Sequence, residues 1–239
     1  FDIDPKLKID ESITAQAGWE AIREELLCDF PFEDPLAQAG ALGMMIAFMQ
    51  RPLMKTCPAF AIVAPQPGSG KSTLVEVSSL AVHGVPVAAH AWSLETEELR
   101  KAIHSLLLAK IPAVLFDNLA RGMAVDSDHL SKLLTSEVST DRTLGSSETR
   151  KELNTLLVTF TGNNISFVRD LASRVITLRL NAKEQDPLRR HFKHRDIRRW
   201  VLTRRGRWLS ALVAVARAGR EAELEGEPSR FEDFDEMIV

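Results

Sequence analysis

Residues 63–74 read VAPQPGSGKSTL, and the reading of this stretch decides the fold. The pattern that grips nucleoside phosphates is G-x-x-x-x-G-K-[ST]: its glycines turn successive backbone N–H groups inward, and the following helix adds its positive end. Here Pro65 replaces the first glycine, while Gly68, Ser69, Gly70, Lys71, Ser72 and Thr73 keep the half of the loop that faces the phosphates. Lys71 is placed for the β- and γ-phosphates and Ser72 for a Mg²⁺ ion. Pro65 and Pro67 fix φ and narrow the freedom of the unbound loop, so they can pre-form a turn that a glycine would only permit. Upstream, Ala59–Val63 (AFAIV) reads as a short buried strand. Downstream, Lys71–Gly84 reads as a helix with apolar residues at Leu74, Val77, Leu80 and Ala81. Strand, loop and helix follow in the order the motif requires, and the alternative is a Gly/Pro/Ser turn that matches by chance.

Composition allows such a domain. The chain has 239 residues, 45% of them hydrophobic, enough to bury a full core as one α/β domain or a core with a small appendage. The longest apolar run, around Ala41–Met49, is too short to span a membrane. With no signal peptide in view, the expected location is the cytoplasm. Cys28 and Cys57 are isolated, which excludes a cysteine metal cage and leaves two idle thiols. The chain opens on Phe1 rather than methionine and stops at Val239 within a segment carrying Phe231, Phe234 and Ile238 at helical spacing. The expectation is a domain of a longer protein.

A net charge of −3 hides segregation: Arg189–Arg207 (RRHFKHRDIRRWVLTRRGR) is strongly basic with Asp196 as its one acid, and Glu221–Glu236 is strongly acidic. The basic segment suits a polyanion, although a solvated helix face looks similar, and Trp200, Val201, Trp208 and Leu209 point to packing against the core.

In Ile111–Leu119 (IPAVLFDNL) a hydrophobic strand ends in Asp117, at the edge where a parallel sheet delivers its ligands. An aspartate so placed holds the Mg²⁺ shell in P-loop nucleoside triphosphatases. Many of these follow it with a glutamate that activates water, whereas this chain has Asn118, an amide that orients water but cannot take its proton. Either Asn118 works by positioning, or a carboxylate elsewhere helps, with Asp126 and Asp128 nearest in sequence. A third strand, within Leu153–Ser166 (LNTLLVTFTGNNIS), delivers Asn163 and Asn164 to the same edge, where an asparagine can sense the γ-phosphate. Asn-Asn after glycine is also ordinary turn chemistry; its weight comes from the order of P-loop, acidic strand and Asn strand.

Within Asp170–Leu180 (DLASRVITLRL), Arg174 ends a helical turn just before a strand of alternating type, and here the resemblance becomes specific. Pro65–Ser72 is similar to the AAA+ loop G-P-P-G-T-G-K-T, and the succession of sensor Asn and Ser-Arg before the last strand resembles the MCM and superfamily 3 helicases. TGNNISFVRDLASRVITLRL together with FKHRDIRRWV resembles the ATPase domains of primase–helicase proteins of phages, plasmids and cassette chromosomes. The resemblance runs from about Asp34 to the C-terminus. It implies roles: Lys71 as loop lysine, Ser72 and Asp117 as Mg²⁺ ligands, Asn163 as sensor with Asn164 as runner-up, and Arg174 as the arginine finger acting on a neighbouring subunit. Arg205 matches a second sensor only loosely.

Between the acidic and Asn strands, Ser139–Asn154 (STDRTLGSSETRKELN) has two β-compatible arms about Gly145–Ser147. The resemblance implies a hairpin that grips DNA, with Arg142, Arg150 and Lys151 on phosphates, against the alternative of a solvated loop. Such contacts are sequence-blind and salt-sensitive.

The expected fold is α/β: a P-loop AAA+ core with a central parallel sheet flanked by helices, plus a small C-terminal helical appendage. Asp34–Met54 reads as a helix with an Asp cap and proline at its first position, and Glu95–Lys110 as a second amphipathic helix after a strand in Val85–His90. The expected division is a flanking segment over 1–33, the ATPase core over 34–182 and the appendage over 183–239, joined by the linker Asn181–Pro187. The leading function is ATP-driven translocation on single-stranded or forked DNA, as a helicase, by a homo-oligomeric ring, a hexamer by resemblance, in the replication of a mobile genetic element. Flanking primase or initiator domains are its expected partners, with no membrane. The alternatives are an ATP-switched DNA-binding or helicase-loading module with slow hydrolysis, and a small-molecule P-loop kinase, which would leave Arg174 without a role.

Overall fold

The computed structural model describes residues 7–142, 149–182, 192–222, 231 and 234–235; for 141–150 it describes the backbone of the strands but not the side chains. Among the described residues, a five-stranded parallel sheet runs in the order β2-β3-β7-β1-β9. These strands are β1 (Ala59–Ala64), β2 (Ala88–His90), β3 (Ala113–Leu119), β7 (Leu157–Asn163) and β9 (Val175–Arg179). The α/β class is therefore as expected. β1 is buried along its whole length, as a strand covered on both faces must be, which is why AFAIV shows no alternation.

Helix α2 (Pro35–Gln50) starts where its sequence says: Asp34 accepts the Ala37 N–H at 2.7 Å and Pro35 takes the first position, where no N–H is needed. It ends earlier than Met54, passing into a 3-10 turn over Arg51–Leu53. α3 (Lys71–Val82) packs beside α2 and against β1, β3 and β7. α4 (Thr96–Leu108) follows the short β2, and α5 (Asp128–Leu134), which the sequence did not announce, precedes the hairpin. A second unannounced element joins β4 (Ala124–Val125) to β8 (Ser166–Phe167) in parallel.

The hairpin forms: β5 (Val138–Arg142) pairs antiparallel with β6 (Thr149–Leu153), bringing Arg142 opposite Thr149 and Thr140 opposite Lys151. Its turn at Gly145–Ser147 lies outside the described residues. Its base is held by Asn154, whose amide donates to the carbonyls of Leu133 at 2.7 Å and Ser136 at 2.9 Å.

The chain ends meet on the outer side of α3. α1 (Ala15–Ala21), capped by Thr14, packs on α7 (Arg205–Glu221), while α6 (Ile197–Leu202) packs on α3. Trp208 is fully buried there, beside Trp200 at 4.9 Å between ring centres. Most of the linker Asn181–Pro187, of the acidic run Glu221–Glu236, and Ile238 lie outside the described residues, whereas Phe231 and Phe234 are buried, with Phe234 against Phe60. Among the described residues, no helix is long and apolar enough to cross a membrane. Cys57 is buried and its thiol is pushed up to about 12, and Cys28 is exposed with its thiol also raised by partial burial. Neither sits in a cluster of potential metal ligands among the described residues.

Candidate functional site

The P-loop follows β1 at the C-terminal edge of the sheet, and β7 and β3 lie next in order on one side. Parallel pairing sets Ala64 of β1 level with Asn163 of β7, so the loop and the Asn strand end side by side. Within the loop, φ is positive at Gly68 (75°) and Gly70 (89°), the conformation that glycine adopts without strain. Pro65 is not among the positive-φ positions, so the missing glycine is not one the backbone needs.

Lys71 is buried, and its Nζ donates to Asn163 Oδ1 at 2.8 Å and to the Gln66 carbonyl at 3.3 Å. Burial pushes its ammonium below the usual lysine range, and the nearby Asp117 carboxylate opposes that shift. Ser69 Oγ also donates to the Gln66 carbonyl, at 2.8 Å, closing the loop on itself.

Asp117 and Asn118 sit on a bulge. Phe116 pairs with Phe160 and Leu119 with Gly162, so two residues of β3 oppose the single Thr161 of β7. Asn118 takes up the extra length with φ at 54°, a left-handed conformation that asparagine tolerates better than most residues. Thr161 replaces the lost ladder: its hydroxyl accepts the Asn118 N–H at 2.9 Å and donates to Asp117 Oδ1 at 2.5 Å. Ser72 Oγ donates to the same oxygen at 2.6 Å. Thr161 is fully buried and was missed from the sequence, although a threonine inside an apolar strand beside the acidic strand was a signal.

These groups surround one cavity of about 530 Å³. Gly68 to Thr73, Asp117, Asn118, Thr161 and Asn163 form its polar end; Phe30, Phe192 and Ile197 line it from the two chain ends. Among the described residues its carboxylates are Asp29 and Asp117, so Asp126 and Asp128 are not part of it. Asp126 instead pairs with Arg169 at 3.1 Å. The Ser72 hydroxyl and Asp117 carboxylate are hard oxygen donors that fit Mg²⁺, provided phosphates and water supply the rest of its shell.

Other sequence candidates lie elsewhere. The Asn164 N–H is tied to the Ala64 carbonyl at 3.2 Å, and Asn164 does not line the cavity. Arg205 donates from Nη2 to the Val82 carbonyl at 2.8 Å, at the far end of α3 from the loop. Arg195, which the sequence did not single out, lines the cavity instead. Arg174 stands at the opposite edge of the sheet: its carbonyl accepts the Ala59 N–H at 3.0 Å, so the length of β1, about 20 Å, separates it from the loop. Lys151 is exposed on the hairpin; the side chains of Arg142 and Arg150 lie outside the described residues.

No family model matches the chain, and no curated protein matches it in sequence. Among solved structures, the apo A form of the NrS-1 C-terminal region superposes with a TM-score of 0.58 at 12% identity, over 100% of this chain and 52% of that one. A second structure of that region gives 0.57 at 12% identity, over 98% and 50%. The chain thus spans about half the length of the NrS-1 region, with which it shares its fold. JCV helicase bound to an acetamide compound is more distant, at a TM-score of 0.40 and 15% identity over 84% of this chain and 61% of that one.

Proposed function

We propose that the chain is the ATPase domain of a DNA translocase of helicase type, a P-loop nucleoside triphosphate hydrolase that takes ATP with Mg²⁺. The observation that carries this reading is the convergence on one cavity at the C-terminal sheet edge of two bonded pairs, Lys71 with Asn163 at 2.8 Å and Ser72 with Asp117 at 2.6 Å. Mg²⁺ would neutralise phosphate charge. Ser72 and Asp117 would hold it, with Thr161 fixing the carboxylate. The loop amides of Gly68–Thr73 and Lys71 would bind the phosphates, and Asn163 would exchange its bond to Lys71 for one to the γ-phosphate or the attacking water.

Arg174 supports a ring. It lies too far from the P-loop to serve its own subunit, so as a finger it would serve a neighbour's site, through a repeating heterologous contact that closes into a ring. A hexamer, flanking primase or initiator domains and replication of a mobile element follow from the sequence resemblance, and a cytoplasmic setting from the lack of a signal peptide in view. The hairpin, with Arg142, Arg150 and Lys151, is the proposed grip on single-stranded or forked DNA.

Asn118 favours a second reading, an ATP-switched DNA-binding or helicase-loading module. Its amide takes the place of a general base, and no further carboxylate among the described residues lines the cavity beyond Asp117 and Asp29. Hydrolysis of ATP with and without single-stranded DNA, beside strand displacement on a fork, separates the two. DNA-stimulated turnover with displacement supports the motor; binding with neither supports the module, and phosphoryl transfer to a small molecule would overturn both.

A further inference from the structure

The cavity has an apolar end that the P-loop does not make, and one carboxylate holds that end together. α1 runs into a π-helical turn over Ile22–Leu26, and the last carbonyls of such a helical end have no partner inside it. The C-terminal segment supplies the partners: Lys193 Nζ donates to the Glu24 carbonyl at 3.1 Å, and His194 Nε2 lies 3.1 Å from the Glu25 carbonyl. The Lys193 ammonium at this helix C-terminus also suits its negative end. Three residues further on, Asp29 completes the contact with its two oxygens, accepting the backbone N–H of Lys193 at 2.8 Å and of His194 at 3.0 Å. The His194 ring then stacks on Trp200, with centres 3.7 Å apart.

This docking brings apolar residues of both segments to one cavity. Next to Asp29, Phe30 is nearly buried and its ring lies 3.5 Å from where a Cβ on Gly70 would stand, so it abuts the phosphate loop. Next to Lys193, Phe192 lines the same cavity but remains 45% exposed, a large apolar surface that a flat ligand can cover. Ile197 adds to this wall from α6.

We infer that Asp29 is a positioning residue for the base of the nucleotide: by clamping the backbone of Lys193 and His194, it holds Phe192 and Ile197 against the Phe30 side as a slot for a planar heterocycle. This rests on the nucleotide reading of the P-loop. Asp29 itself need not touch the ligand. Its effect falls on the base and not on the phosphates, because it anchors the segment from each chain end that makes the slot, while Gly68–Thr73 are held by their own network.

Calorimetric titration of the whole chain with a non-hydrolysable ATP analogue and with inorganic tripolyphosphate tests this, with thermal melting to follow the fold. Asp29→Ala is expected to weaken the ATP analogue about tenfold, the scale of a lost stacking surface, and to leave tripolyphosphate binding unchanged. Asp29→Asn should retain part of the affinity, since its amide oxygen still accepts one N–H. Phe192→Ala, at a partly exposed position, should reproduce the selective loss if Asp29→Ala fails to fold. Unchanged analogue binding by the Asp29 and Phe192 variants, or equal losses of analogue and tripolyphosphate, would overturn the inference while leaving the P-loop reading in place. A parent protein that binds neither probe would overturn both.

Discussion

The two edges of the parallel sheet are built on opposite principles. At the C-terminal edge, the polar groups of Lys71, Ser72, Asp117, Thr161 and Asn163 satisfy one another at 2.5 to 2.8 Å. At the N-terminal edge, the Arg174 side chain is mostly buried, yet among the described residues its Nε has no hydrogen-bond partner, and its ion pair to Asp170 at 3.2 Å ends on an exposed carboxylate. With the Asp170 carboxylate in solvent, the pair contributes only about 0–1 kcal/mol. The first edge has its polar groups already placed, whereas the second holds a charge only partly met among the described residues. A site divided between two copies predicts this asymmetry.

The comparison breaks most sharply at Lys71. Lys71→Ala should remove measurable binding of an ATP analogue, while Pro65→Gly should leave it nearly intact, because the loop's positive φ values fall at Gly68 and Gly70. Tight binding by the Lys71 variant in calorimetry would remove the P-loop assignment.

At the other edge, Arg174→Ala should bind ATP normally yet hydrolyse it roughly 10³–10⁵-fold more slowly, the scale of a lost arginine finger. Mixing it with Lys71→Ala subunits should restore part of the activity by setting intact loops beside intact arginines. If mixed oligomers confirmed by mass give no recovery at any ratio, the shared site is wrong.

A smaller effect belongs to Thr161. Thr161→Val keeps the shape and deletes the hydroxyl, so the Mg²⁺ concentration for half-maximal nucleotide binding should rise about tenfold, as when outer-shell partners of metal ligands are lost. Thr161→Ser should restore it. Equal Mg²⁺ dependence in all three proteins would reduce Thr161 to a strand residue.

The smallest change is expected away from both edges. Replacing Arg150 and Lys151 by alanine should weaken single-stranded DNA binding for all sequences and flatten the log–log salt slope by up to about 0.7 per lost contact. An unchanged slope would move the contact to the basic segment Arg189–Arg207.

What the sequence made legible follows from distance along the chain. The P-loop is contiguous, and the strand order carried Asp117 and Asn163 to its side, since parallel strands deliver their ends to one edge. The bulge was not legible: it depends on how β3 pairs with β7, and Thr161 acquires its role only from that register. Nor was the Asp29 clamp, which joins residues 164 positions apart. Arg205 matched a second sensor only loosely by resemblance; the fold turns its head to the Val82 carbonyl, an orphan acceptor at the end of α3.

That last contact gives α3 a mechanical character. The helix begins at Lys71, in the phosphate loop, and at its other end the Arg205 guanidinium occupies the space where a side chain on Gly84 would stand, 2.7 Å from the Cβ position. His83, whose imidazole burial pushes below the usual histidine range, bonds from Nε2 to the Phe48 carbonyl of α2 at 3.0 Å. α3 is thus a connecting rod about 18 Å long, seated at one end on the phosphate loop and journalled at the other in α2 and α7. Motion imposed on the loop end is transmitted as a push on both helices rather than lost in slack. A side chain at position 84 would unseat that bearing without touching the cavity.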